Sequence, residues 1–297
     1  MINRSKVRRL ENMSRRQRMH YQFKIRNGST KVFGIDPGKK DILMMSGPSA
    51  SNPNTIEQYS FSNARRRDLT YTKRSAKILK KMKQHDARIQ NIERSLIGKK
   101  SLECNVFQLY LSTKEQLINA QIINSPSKKK FLLNFYSHLV FRKLSLKRFI
   151  RTKQCNTKML REICKKFGPA DSILIGLGDW SQSRTTQMRG LMPSITKGLH
   201  KILASRFDVW LVDEYRTSKR LHLDPTQILE YKRVDILHPE RHRNRQTRRL
   251  RSVLTQQGDP KNVIVNRDTN GSQNIRNITN HHIYTARRLR EFRRGGR

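Results

Sequence analysis

Asp36, Glu214 and Asp268 are the side chains in this sequence best placed to do chemistry. Each stands where an apolar run or a loop ends. Asp36 closes KVFGID ahead of Pro37-Gly38, Glu214 follows FDVWLVD, and Asp268 sits between Arg267 and Thr269-Asn270. Three carboxylates brought together would offer the hard oxygen ligands that magnesium prefers. Such a cluster can hold two Mg2+ ions, typically about 3.5–4 Å apart, with a phosphodiester between them: one ion helps activate water and the other stabilises the leaving oxygen. Without metal the same acids repel one another, and at least one should hold its proton more tightly. Taken singly they say little. An Asp before Pro-Gly is a common turn former, and Asp268 ahead of Thr-Asn would serve equally well as a helix cap.

The elements that would bring them together are visible as apolar runs. Lys31–Asp36 (KVFGID) and Asp41–Ser46 (DILMMS), separated by Pro37 to Lys40, are predicted to pair as a hairpin. Ser172–Leu177 (SILIGL) and Phe207–Asp213 (FDVWLVD) are nearly continuous apolar runs, the pattern of parallel strands covered on both faces. Between them Pro193–Ala204 has helical spacing, which completes a right-handed strand–helix–strand crossover. The middle of the chain is predicted helical over Lys73–Ile97, Val106–Ile123 and Lys128–Ile150. An extended or irregular loop is expected from Gln227 to Gly258, and a helix from about Asn270 to Phe292. The fold class is therefore α/β, a mixed sheet with flanking helices and a helical insertion, the arrangement of an RNase H-like sheet. In such a sheet the acids at the carboxyl ends of the central strands converge, and a third acid enters at the start of a C-terminal helix.

The charge balance names the class of partner. Lysine and arginine total 64 against 22 acidic residues, a formal net charge of +42. A chain this basic repels itself unless a polyanion neutralises it, and nucleic-acid phosphates are the commonest such ligand. Apolar residues make up 35% of the chain, so one compact core with a basic periphery is expected. No apolar run approaches the roughly 20 residues needed to span a bilayer, so no membrane partner is expected. Cys104, Cys155 and Cys164 form no CxxC pair, which fits a reducing nuclear or cytoplasmic setting and gives no support for structural zinc. The Arg-rich, acid-poor start is also compatible with a mitochondrial presequence. Trp180 and Trp210 sit in apolar contexts that favour core packing over base stacking, and His281-His282 has no further ligand at metal spacing.

Four segments then carry a family resemblance. GIDPGKK at Gly34–Lys40 resembles the first RuvC motif of the transposon-encoded TnpB proteins and their eukaryotic and viral relatives, the Fanzor proteins. VDEYRTSK at Val212–Lys219 looks like the Fanzor segment leading into a zinc ribbon, and VNRDTNGSQNI at Val265–Ile275 is similar to the third RuvC motif. LIGLGDWSQ at Leu174–Gln182 matches the strand before the Fanzor helix. The resemblance implies an RNase H-like (RuvC) fold and an RNA-guided DNA endonuclease that takes a guide RNA and a target DNA as partners and works with Mg2+. It assigns catalysis and metal binding to Asp36, Glu214 and Asp268. Many TnpB proteins end the strand equivalent to Leu174–Leu177 with their glutamate, where this chain has Gly178-Asp179. Fanzor-like members carry it on the next strand, which maps onto Glu214, so Asp179 is the alternative second acid. Lys219 is expected to meet a substrate phosphate.

The sequence departs from that family in three ways. Leu221 and Asp224 stand where the zinc ribbon normally has CxxC, with no second cysteine pair before Asp268. Arg241, Arg243, Arg248 and Arg251 are expected to supply nucleic-acid contacts in its place. Only 35 residues precede Asp36, and Gly271-Ser272 replaces the usual alanines. The expected organisation is a basic N-terminal arm (1–30), a first RuvC segment (31–73), a helical insertion (74–167), a second segment (168–226), a basic loop replacing the ribbon (227–262) and a third segment with a basic tail (263–297). The competing reading is a catalytically degenerate or domesticated guide-RNA or nucleic-acid-binding protein.

Overall fold

The computed structural model describes residues 8–38, 40–85, 87–95, 104–123, 135–179, 196–236 and 246–294. They divide into two compact units, Met1–Arg65 with Asn156–Arg297, and Arg66–Cys155.

In the first unit the apolar run Lys31–Asp36 becomes β1, the middle strand of five. It pairs antiparallel with β2 (Asp41–Pro48) and parallel with β4 (Ile173–Gly178); β3 (Ile56–Ser62) and β5 (Asp208–Val212) are the outer strands. The order β3-β2-β1-β4-β5, with three antiparallel strands followed by two parallel ones, is that of an RNase H-like sheet. The hairpin turn is closed by the Gly38 amide donating to the Asp41 carbonyl at 3.0 Å. The third strand of the meander escaped the sequence reading because Ile56–Ser62 is half exposed and polar at every second position.

A long helix whose residue range is Arg267–Thr285 (α8, counting helices in chain order) lies on the sheet. A Cβ at Gly34 of β1 would collide with the Ser272 carbonyl and the Arg276 amide, and one at Gly176 of β4 with the Thr279 hydroxyl. These glycines admit the helix directly onto the two central strands. Ser46 and Ser272 share a buried 2.6 Å hydrogen bond, and Arg276 Nε donates to the Val32 carbonyl at 3.1 Å. The other face is covered by the end of a helix spanning Leu139–Phe167, with Phe167 against Phe33 at 4.9 Å between ring centres. That helix runs on past the expected stop at Ile150 until Gly168, at φ 107°, ends it before Pro169.

The structure differs from three sequence expectations here. Within the expected basic arm 1–30, the described residues 8–30 are folded. Arg15–Arg26 forms α1, closed at its start by a Ser14–Gln17 capping box, and Leu10, Met13 and Tyr21 are buried with Trp210, Ile283 and Phe292. The described residues of Gln227–Gly258 (227–236 and 246–258) are not an irregular loop either. Leu229–Asp235 (β6), Thr247–Gln256 (β7) and Asp259–Asn266 (β8) form an antiparallel sheet around an apolar cluster of Leu221, Leu229 and Leu254. The helix predicted to Phe292 ends at Thr285, followed by a single turn at Arg290–Phe292.

The second unit is helical over Thr72–Gln84, Ala87–Ser95 and Cys104–Ile123. The expected single helix Lys73–Ile97 is two, tied by the Lys83–Glu93 ion pair at 2.6 Å. Arg66, rather than Arg74, begins this unit. Among the described residues no helix is long and apolar enough to cross a membrane.

The close approach of helix and sheet can be tested with two glycines. Gly34→Ala must move the helix backbone and is expected to destabilise the protein by about 1–3 kcal/mol. Gly198→Ala, in the helix Thr196–Ala204 with open space around its Cβ, should instead stabilise by about 0.4–1 kcal/mol. Urea unfolding of both variants measures the contrast; equal effects would show that the packing at Gly34 has room to spare.

Candidate active site

Register places the acids along one edge of the sheet. Ile35 lies opposite Leu177, so Asp36 is level with Gly178, which in turn lies opposite Val212. Glu214 starts two residues beyond that level and two strands away from Asp36, where strands are spaced about 4.8 Å apart. Its side chain covers the distance by lying over Gly178. A Cβ there would strike Glu214 Oε1, Cδ and Cγ. Gly178 thus keeps open the space that an acid at the end of β4 would otherwise fill, and the glutamate from the next strand occupies it.

Asp268 arrives from the other direction, in the first turn of α8. The cap of that helix is Asn266, whose Oδ1 accepts from the amides of Asp268 and Thr269 at 3.0 and 3.2 Å. Asp268 is therefore not the capping residue. Gly271, one turn on, leaves room for the Asp36 carboxylate, which a Cβ at that position would meet.

The electrostatics are those of buried acids whose repulsion Arg267 only partly offsets. Burial pushes the Asp36 carboxyl up to about 7, with repulsion from Asp268 adding to it and Arg267 opposing. Burial likewise pushes Glu214 up to about 9, reinforced by Asp36 and Asp179 and again opposed by Arg267. Asp268 is raised by burial, against the pull of Arg267. Glu214 Oε1 is buried with no hydrogen-bond partner. Among the described residues no three His, Cys, Asp or Glu side chains stand together as a ready metal-ligand group. The coupling instead runs in pairs through Asp36, to Glu214 on one side and Asp268 on the other. Hard oxygen donors, a buried carboxylate oxygen without a partner and like charges in mutual repulsion fit a divalent cation.

Two neighbouring acids are differently disposed. Asp213 accepts a bidentate pair from Arg294 at 2.6 and 2.7 Å, which holds its carboxyl below the ordinary value. Asp179 faces Arg9 at 3.7 Å, and its amide donates to the Val212 carbonyl.

Sequence reasoning passed over the residues that hold this edge together. Asn270 and Asn274, both fully buried, each donate from Nδ2 to the carbonyls of Thr217 and Arg220 at 2.7–3.2 Å, and Asn277 donates to the His222 carbonyl at 2.9 Å. Asn270 Oδ1 in turn accepts the His222 amide at 2.9 Å. These bonds lock the turn that follows Glu214 to the helix that carries Asp268. The spacing of Asn270, Asn274 and Asn277 along one helical face was the available signal. Arg267, amid the three acids, was the other residue missed.

Of the expected nucleic-acid contacts, Lys219 is exposed at the end of the locked turn, and Arg248 and Arg251 are exposed on β7. Arg241, Arg243 and Trp180 lie outside the described residues. Trp210 is buried in the core, edge-on to Tyr21.

No protein-family profile and no curated protein matches this chain. Among solved structures it is similar to the mini-RNA-guided endonuclease CRISPR-Cas_phi3, with a TM-score of 0.49 and 14% identity. The match covers 93% of this chain and 48% of that one, so the chain spans about half the length of the structure it matches.

The excess negative charge predicts a pH dependence. In metal-free protein the folded state keeps the Glu214 proton up to about pH 9, whereas the unfolded chain releases it near 4.5. Stability should therefore fall as pH rises through that window, and Glu214→Gln should escape the loss. In EDTA the variant is expected to match wild type near the low end and to melt progressively higher towards the high end, by about 2–4 °C for each kcal/mol relieved. Thermal melts across pH measure this; a constant difference at all pH values would place Glu214 in solvent.

Proposed function

We propose that this protein is a magnesium-dependent endonuclease of RuvC type, related to the TnpB and Fanzor proteins, that cuts DNA selected by a guide RNA. The observation that carries the reading is the placement of Glu214 over Gly178, towards Asp36, with a buried carboxylate oxygen left without a partner. A structural acid at a strand end has no reason to be turned inward beside another acid. The RuvC motifs, the RNase H-like strand order and the net charge of +42 support the same reading.

Asp36, Glu214 and Asp268 would hold the metal, with two ions expected. Bound magnesium supplies an activated water and stabilisation of the leaving oxygen in phosphodiester hydrolysis. The protein's own part is positional. β1 and β5 present Asp36 and Glu214 at one edge, the helix brings Asp268 to them, and the asparagine bonds fix the relation between the two groups. Arg267 tempers the repulsion among the acids before a cation binds. Lys219 stands at the end of the same turn to meet a backbone phosphate. The β6–β8 sheet takes the place of the family's zinc ribbon, and its exposed arginines Arg248 and Arg251 add to the anionic path.

The test is cleavage of labelled DNA by purified protein with its copurified RNA, in Mg2+, beside Asp36→Asn, Glu214→Gln, Asp268→Asn and Asp179→Asn. Losing an outer-shell partner of a metal ligand typically costs about 10–100-fold. Each of the first three variants is thus expected to lose more than about a hundredfold, while Asp179→Asn keeps most activity. Calorimetric titration with Mg2+ should show the same ranking in binding. Equal activity in all four variants would remove the carboxylate assignment, and an active Glu214→Gln beside a dead Asp179→Asn would exchange the second acid. RNA retained with no cleavage under any divalent metal would make the chain a binding protein only.

A further inference from the structure

Beside the locked turn, β6 and β7 enclose an open cleft of about 380 Å3, within the roughly 300–1,000 Å3 common for ligand pockets. Lys219, Tyr231, Arg233 and Arg249 line it, with buried Leu254. Arg233 and Arg249 are direct cross-strand partners. Like charges placed opposite each other destabilise a sheet pair, and among the described residues neither guanidinium has an ion-pair or hydrogen-bond partner. Glu230 is the one acid on the lining, against three cations. The half-buried Tyr231 packs against the small apolar core of this sheet, which fixes its ring in place. Tyr231 and Arg233, two residues apart, share one face of β6, and the register shift between them sets Arg233 opposite Arg249.

The cleft is also fixed relative to the acids. The Leu229 amide donates to the Lys219 carbonyl at 2.9 Å, tying β6 to the turn that Asn270 and Asn274 hold from the helix bearing Asp268.

We propose that this cleft binds one unpaired nucleotide of a single nucleic-acid strand, its phosphate between Arg233, Arg249 and Lys219 and its base against Tyr231. The inference rests on the nuclease reading and adds to it a subsite that holds the strand in register with the carboxylates. Anion binding removes the repulsion between the paired arginines. An aromatic face accepts any base, because stacking does not read hydrogen-bond patterns.

The experiment measures binding in EDTA, where no cleavage is needed. Fluorescent oligothymidylate, oligouridylate and a blunt DNA duplex of equal length are titrated against the protein over a range of salt. Strands carrying 4-thiothymidine or 4-thiouridine are photo-crosslinked and the attachment site mapped by mass spectrometry. Single strands are expected to crosslink at Tyr231. Arg233→Gln with Arg249→Gln should abolish that crosslink and reduce the salt slope by about 0.7, for the one phosphate held in the cleft. Tyr231→Leu, which keeps the apolar packing, should weaken binding at least about fivefold, and Tyr231→Phe should restore it. Arg15→Gln with Arg16→Gln removes the same charge from exposed positions on α1 and serves as the control.

Loss confined to the DNA or the RNA strand names the occupant, and loss with both leaves a general single-strand site. Equal weakening by the control, crosslinks only elsewhere, or equal loss with the duplex overturns the cleft. Because none of these readouts needs cleavage, an inactive protein that crosslinks at Tyr231 defeats only the nuclease reading. An active one that does not crosslink there defeats only the cleft.

Discussion

The candidate site depends on one helix being able to lie with its backbone against the middle of a sheet. Gly34 and Gly176 occupy neighbouring positions on β1 and β4, opposite each other in register, and both face Arg267–Thr285. On the helix side the contacts are the Ser272 carbonyl, the Arg276 amide and Cβ, and the side chains of Thr279 and Ile275. Any larger group at the two glycines would lift the helix, and Asp268 would move with it. The constraint reaches the other end of the site through Asn270 and Asn274, whose side-chain amides each grip two carbonyls of the turn after Glu214. Buried carbonyls left without donors cost about 1–3 kcal/mol each, so these polar bonds hold the turn in place as firmly as apolar packing holds the strands.

Within this frame, consecutive residues meet opposite fates. Asp213 turns outward into the grip of Arg294 and is stabilised as an anion; Glu214 turns inward beside Asp36 and is pushed towards its neutral form. Asp179 has Arg9 for company, and Asp268 has Arg267 beside it in sequence. Two acids of this edge, Asp213 and Asp179, thus face arginines directly, whereas Asp36 is opposed by Glu214 on one side and by Asp268 on the other, with Arg267 as the counter-charge.

Much of this was legible from residue types. The strands β1, β2, β4 and β5 were found because buried strands are nearly continuous apolar runs, and the acids at their ends could then be placed on one edge without knowing any coordinates. β3 was hidden by its half-exposed alternation, and β6–β8 by arginines. In TRRLRSVLTQ the exposed charges at Arg248, Arg249 and Arg251 mask a strand from which Leu254 alone enters the small core cluster. The α1 helix was read as a loose arm because Tyr21 is the buried residue among twelve. The asparagine clamp was not read because its partners are main-chain carbonyls, which leave no trace in a sequence. Gly178 was noticed as the absence of an acid; that it makes space for another residue's acid could be seen only once Glu214 was in place.

The anchoring of Asp213 by Arg288 and Arg294 has a bearing on how the molecule comes into being. Arg288 donates to the Asp213 carbonyl and Arg294 to its carboxylate, so the chain next to Glu214 is secured by residues more than seventy positions later. During synthesis the sheet strands emerge from the ribosome well before the segment that completes the carboxylate group and fastens its neighbour. The strands of the sheet can thus be made while this carboxylate edge is still unassembled. Vectorial synthesis would in this way delay completion of the edge until the last turns of the fold have docked.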